Sequence, residues 1–259
     1  MSQHQIISQA LPKGDTPVLC VNLHSEQIAT LAEDMIADGD EQVVHLLADE
    51  SQIKDALFDF ITASKIAELV DQGRLDIRIL DEPVQNAILT TESEVVVPLM
   101  SGHTVTGSDE DTATSLYTEF ETTFEAAESY HLRTPALSEV KATLREEIGD
   151  DTADEFEEVL AHAEEISNTN EYLDIVEVAL LLAARNEVLL YDISRWGEDI
   201  GVASKATFSR TKSALEEAGL ITTEKVPIDV GRPRLRLVAT EQIANADLTT
   251  LSEDITSQI

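Results

Sequence analysis

Residues 201–239 read GVASKATFSRTKSALEEAGLITTEKVPIDVGRPRLRLVA, and this stretch decides the C-terminal half of the fold. Gly201 makes a turn. Ser204, whose hydroxyl is a good N-cap, opens a helix that Gly219 ends. On that helix Phe208, Leu215 and Ala218 fall on an inward face, with Thr211 near the same side. Lys205, Ala206, Thr207, Ser209, Arg210 and Ser213 face outward. ITTEKVPI (221–228) and RLRLVA (234–239) are strands joined by DVGRP, a hairpin whose tip carries Arg232 and Arg234. Upstream, LLYDISRWGEDI (189–200) fits a short helix with Ile193, Trp196 and Ile200 turned inward. Residues 172–184 are apolar nearly all round, which predicts a helix buried on more than one side. The predicted order is helix, helix, turn, helix, hairpin: a winged helix.

Charge says what that element meets. The chain has 17 Lys and Arg against 51 Asp and Glu, a net charge of −34. Residues 193–238 nevertheless carry eight basic residues (Arg195, Lys205, Arg210, Lys212, Lys225, Arg232, Arg234, Arg236) against six acidic ones. A locally basic stretch in so acidic a chain asks for an anionic partner. Short polar side chains beside Lys and Arg let a helix enter the major groove closely and reach base edges and phosphates. Ser204, Lys205, Thr207, Ser209 and Arg210 are therefore the candidate reading surface. Arg232 and Arg234 are the candidate wing contacts to phosphate or the minor groove. Arg234 and Arg236 alternate with Leu235 and Leu237, so they share one strand face, which also fits a merely solvated side. The partner implied is double-stranded DNA. A homodimer is expected, because two half-sites a helical turn apart give more specificity than one short helix. The apolar helix 172–184 is either the dimer interface or the core of its own domain. The alternative function is a winged helix that docks protein and binds no DNA.

The N-terminal half alternates strands and helices. PVLCVNL (17–23), QVVHLLA (42–48) and LDIRILD (75–81) read as strands, and AILTT, EVVVPLM and HTVTG as a following meander. Helices are predicted over 25–38, over 49–72 with Gly73 as C-cap, and over 109–132, where Leu116, Phe120, Phe124 and Ala127 form one stripe. The order βαβαβ, βββ, α predicts an α/β sheet with helices on its faces. Pro135 marks a boundary. The organisation expected is an α/β domain over 1–134, a helical connector over 135–170, a winged helix over 171–240 and an acidic tail over 241–259.

With 42% hydrophobic residues the chain can build a core despite its charge. A periodic, carboxylate-rich protein with seven Lys against ten Arg and 4% aromatics fits a cytoplasm at molar salt. There the Debye length falls to about 3 Å and self-repulsion is screened. The lone Cys20 lies in an apolar run and reads as a buried core residue. The N-terminus shows no signal-peptide pattern, and no stretch reaches a membrane-spanning length, so a cytoplasmic location is expected.

SKATFSRTKSALEEAGLI followed by GRPRLRLV resembles the winged helix of archaeal metabolic regulators, over roughly 172–240. The N-terminal part, ending in YTEFETTFEAAESYHLRTP (117–135), resembles the phospholipase-D-like sensor domains of TrmB-type archaeal regulators. In those proteins the DNA-binding domain comes first, whereas here it is last. The whole chain resembles the haloarchaeal TbsP-type regulators. That resemblance implies DNA binding, dimerisation and control of central sugar metabolism. The phospholipase-D-like resemblance implies a metabolite pocket in the N-terminal domain, whose alternative reading is an acidic dimerisation or co-regulator surface with no small ligand. Candidate ligand contacts are Arg78, His103 and Arg133, at strand ends and around the turn Ser101–Asp109. A phospholipase-D-like enzyme would need a His with a Lys two residues on. His103 is followed by Thr104 and Val105, and no His-x-Lys occurs anywhere. No catalytic residues, metal ligands or cofactor are therefore expected, the six histidines being scattered and the cysteine single.

Overall fold

A computed structural model describes residues 16–38, 42–81, 84–99, 103–166, 174–228 and 231–248. The chain divides into two units, Met1–Leu132 and Arg133–Ile259.

In the first unit, β1 (Val18–Val21), β2 (Val44–Ala48) and β3 (Leu75–Ile79) run parallel. α1 (Ser25–Asp38) connects β1 to β2, and α2 (Glu50–Ala56) with α3 (Phe60–Asp71) connects β2 to β3. β4 (Ile88–Thr90), β5 (Val95–Pro98) and β6 (Thr104–Gly107) follow as an antiparallel meander, giving the order β3-β2-β1-β4-β5-β6. All four residues of β1 are 0% exposed, because both sheet faces are covered. Val18 and Cys20 join a core with Ile28, Leu31, Ile53, Ile66 and Leu69 of α1, α2 and α3. Leu19 and Val21 face the other way, onto Tyr117, Phe120 and Phe124 of α4 (Glu110–Ala126). The strand period of two thus sorts one apolar run into two cores. Cys20 is a core residue as expected, and burial pushes its thiol up to about 12.

Two predicted helices are shorter than their apolar pattern. The helix expected over 49–72 breaks at residues 57–59. Leu57 closes α2 through its N–H to Ile53 O, and Asp59 starts α3 by accepting the Thr62 N–H at 2.8 Å. A carboxylate that caps a new first turn outweighs continuing the old one. The helix expected over 109–132 stops at Ala126, and residues 128–130 lie along the outer edge of β3. Ile79 N–H donates to Glu128 O and Tyr130 N–H to Ile77 O, so this segment satisfies edge groups that would otherwise face water. Of the turn Ser101–Asp109, residues 101 and 102 lie outside the described residues. Thr104–Gly107 is β6, and Asp109 is the N-cap of α4.

In the second unit, α5 (Leu137–Glu147) and α6 (Asp150–Ile166) precede α7 (Ile175–Arg185), α8 (Leu190–Asp199) and α9 (Lys205–Glu217). The hairpin β7 (Ile221–Val226) and β8 (Arg234–Ala239) and the short α10 (Glu241–Ala244) complete it. The helix pair predicted as a connector packs inside this unit. Trp196 Nε1 donates to Thr143 Oγ1 at 3.0 Å, and Arg185 pairs with Glu155 at 3.1 Å. Within the pair, Arg145 of α5 reaches Asp150, Asp154 and Glu157 of α6, across the Gly149 turn. α7 is core: apart from Glu177, every residue from Ile175 to Ala184 is at most 6% exposed. The interface reading of this helix is therefore overturned, because its own unit covers it on all sides. Residues 172 and 173 of the predicted helix, and the tail beyond residue 248, lie outside the described residues. Arg185 Nη1 anchors the start of the tail through Ile243 O and Ala246 O.

Candidate nucleic-acid interface

The surface is built on the crossing of α8 and α9. Gly201, at φ +83°, turns the chain between them, and Ala203 N–H donates to Gly197 O. Ser204 is the N-cap, its hydroxyl accepting the Thr207 N–H at 3.2 Å. Gly197, inside α8, is what lets the two helices approach. A Cβ there would lie 2.3 Å from the Phe208 ring, which is fully buried. Trp196, Ile193 and Leu215 fill the same core. Once Phe208 and Leu215 point inward, the helical period leaves Lys205, Ala206, Ser209, Arg210 and Ser213 exposed, with Thr207 half-buried. Ala218, predicted to face the core, is exposed because α9 ends at Glu217 and Ala218 is its C-cap.

Ion pairing divides the eight cations. Lys205 pairs with Glu198 across the turn, and the Glu198 carboxylate is held below its usual range by that bond while the Lys205 ammonium is raised. Arg195 pairs with Asp199 and Lys212 with Glu216. Arg234 lies 3.3 Å from Asp192 and stacks 4.1 Å above the Tyr191 ring. Arg236 meets Glu187 at 3.6 Å. The register sets Val226 opposite Arg234 and Glu224 opposite Arg236, so the two arginines do share one face of the hairpin. That face is ion-paired rather than simply solvated.

Among the described residues, Arg210, Lys225 and Arg232 have no carboxylate partner. Arg210 makes a 3.4 Å contact to Thr207 Oγ1, itself 3.0 Å from Ser204 Oγ. Ser204 and Thr207 thus act together: one caps the helix, the other orients the arginine. Ser209 and Ser213 are exposed, the Ser213 hydroxyl bonding Ser209 O. Arg232 is exposed beside Gly231, and residues 229 and 230 of the predicted tip lie outside the described residues. Two residues of this surface are not among the contact candidates of the sequence, although Lys225 is counted in its basic stretch. Lys225 shares its β7 face with Thr223, whose hydroxyl bonds Glu216 of α9 at 2.9 Å, so this face looks toward α9. Gly197 carried a signal: glycine inside a helix costs roughly 1 kcal/mol, so its presence there points to close approach.

The three candidate ligand contacts are not gathered by the sheet. Arg78 sits on β3 and His103 just before β6, at opposite edges and on the order of 24 Å apart at five strand spacings. Arg133 belongs to the other unit. Arg78 instead closes α4: its guanidinium donates to Phe124 O at 2.8 Å and Glu125 O at 3.1 Å and lies over the Phe124 ring. His45 stacks on the same ring at 4.3 Å, and burial lowers its pKa.

A model of the TbsP-like transcriptional regulator N-terminal domain matches residues 1–135, and one of the TbsP-like C-terminal helix-turn-helix domain matches residues 136–256. No curated protein matches the chain significantly. Among solved structures, TrmBL2, described as an archaeal chromatin protein with a novel mode of DNA binding, is 19% identical over 49% of this chain. The match spans half of that protein's chain at a TM-score of 0.38, too loose to bear on fold or function.

Proposed function

The chain belongs to the TbsP-like transcriptional regulators, and on that premise we propose that it acts by binding double-stranded DNA through its second unit. In this reading α9 enters the major groove, with Ala206, Ser209, Arg210 and Ser213 toward base edges and phosphates. Arg232 and Lys225 on the wing meet the flanking backbone. The observation that carries the reading is the pairing pattern. Of the eight cations in residues 193–238, the three left without carboxylates among the described residues, Arg210, Lys225 and Arg232, lie on the exposed helix face and on the wing. Lys205 and Arg234 join them by exchanging Glu198 and Asp192 for phosphate.

Two copies bind two half-sites, and the first unit serves as the sensor. A metabolite would bias the two-copy arrangement by favouring one of two states. The ligand site we place at the carboxyl ends of β1–β3, where open α/β sheets take ligands, with no enzymatic turnover. The regulon we propose is central sugar metabolism, supported by the resemblance of the whole chain to TbsP-type regulators. The working medium is molar salt, supported by the acidic surface. Counterion release is weak there, so base contacts and DNA shape must carry much of the specificity.

The test is immunoprecipitation of the tagged protein at native salt with sequencing of the recovered DNA, followed by footprinting of the sites found. Sharp peaks near carbohydrate genes are expected. A flat profile with good recovery of the protein overturns DNA binding in favour of protein docking. Arg210→Ala should weaken the operator footprint about 5–100-fold, the loss of one good base contact.

A further inference from the structure

The two edges of the six-stranded sheet are treated differently. At β3, residues 128–130 pair with the outer edge. At β6, no described element covers it, and Val105 is 55% exposed. The register places Val105 opposite Val97 and Gly107 opposite Val95, with Val95 opposite Thr90. These residues share the sheet face that α4 covers over β1 and β4, and Val97, Leu99 and Val105 continue it beyond α4 as an apolar strip. Leu99 N–H donates to His103 O, so by antiparallel alternation the backbone groups of Val105 turn toward β5 and those of Thr104 and Thr106 turn outward.

Charge is the second observation. Residues 95–108, VVVPLMSGHTVTGS, contain no Asp, Glu, Lys or Arg, the longest such run in a chain with 51 acidic residues. Edge strands are ordinarily guarded by charge or proline, and β6 has neither. A second, strongly acidic copy therefore meets no like charge on this run itself.

We infer that β6 is a self-association edge, on which a second copy of this chain pairs antiparallel about a two-fold axis through Val105. The sequence of the edge is self-complementary, as a two-fold contact requires. Thr104-Val105-Thr106 reads the same in both directions, so Thr104 meets the second copy's threonine 106, and the two valines meet on the apolar face. Four outward backbone groups on each copy are satisfied, and two six-stranded sheets become one of twelve. This interface stands without the DNA reading and replaces α7 as the dimer contact.

The experiment is analytical ultracentrifugation of the full chain in molar potassium chloride, with circular dichroism as the fold control. Wild type should sediment as a dimer. Val105→Lys and Val105→Glu each set like charges opposite one another and should raise the dissociation constant at least about tenfold, with unchanged dichroism. Mixing the two variants should restore a heterodimer, because opposite charges then face each other. A monomeric wild type, a dimer that neither substitution weakens, or a mixture that stays monomeric overturns the inference. None of these readings involves DNA, so each is separate from failure of operator binding.

Discussion

Replacing Gly197 by alanine tests the helix crossing on which the proposed reading surface depends. The added methyl would sit 2.3 Å from Phe208 Cε2 and 2.4 Å from Cζ, where carbon atoms prefer about 3.5–4.0 Å. The Phe208 ring is fully buried and cannot swing into solvent, so either the ring or α9 must move by about an ångström. Overpacking of this kind costs about 3 kcal/mol at the upper end of its usual range. Alanine recovers about 1 kcal/mol of helix propensity, leaving a net loss of about 2 kcal/mol. For a unit of this size that lowers the midpoint of thermal unfolding by roughly 7 °C. The assay is calorimetry at fixed molar salt on wild type, Gly197→Ala, Phe208→Leu and the double variant. The smaller leucine relieves the overlap, so the cost of Gly197→Ala should largely disappear in that background. Equal or higher stability of Gly197→Ala alone, or the same loss with and without the phenyl ring, would refute the close-approach argument.

Glu198→Gln should release Lys205 for phosphate, strengthening DNA binding and steepening its salt dependence by about one ion in a titration of affinity against salt. Ser204→Ala should cost about 1 kcal/mol in denaturant unfolding by leaving the Thr207 N–H uncapped, and should loosen Arg210 through Thr207. Glu216 is held below the usual carboxylate range, chiefly by its bond to Lys212 and also by Thr223. Its folded pKa is depressed, so its contribution is present above the unfolded value and lost as pH falls through the folded one; Glu216→Gln should flatten the acid limb of a stability–pH curve. The Cys20 thiol, buried and raised to about 12, should resist alkylation in the folded chain and react at once in denaturant, read by mass spectrometry.

The winged helix was legible in the sequence because its signals are local. An N-cap serine, the inward spacing of Phe208 and Leu215, a glycine turn and a two-strand pattern each act within a few residues, and all recur in the structure. The α/β order of the first unit was legible for the same reason. What only the tertiary structure decided involves partners far apart in sequence or a competition among them. Arg234 meets Asp192, 42 positions away, and Lys205 meets Glu198 across a turn, so only the fold shows which cations remain for an anion. An all-apolar helix reads alike as core or interface, and α7 became core because α6, α8, α9 and β8 all pack on it. The sheet order set Arg78 and His103 on opposite edges although both lie near strand ends, and among the described residues it left one edge covered and the other uncovered. Periodicity and capping are properties of the neighbouring chain. Pairing, burial and edge exposure depend on which distant segments arrive, and for those the packed structure is the only record.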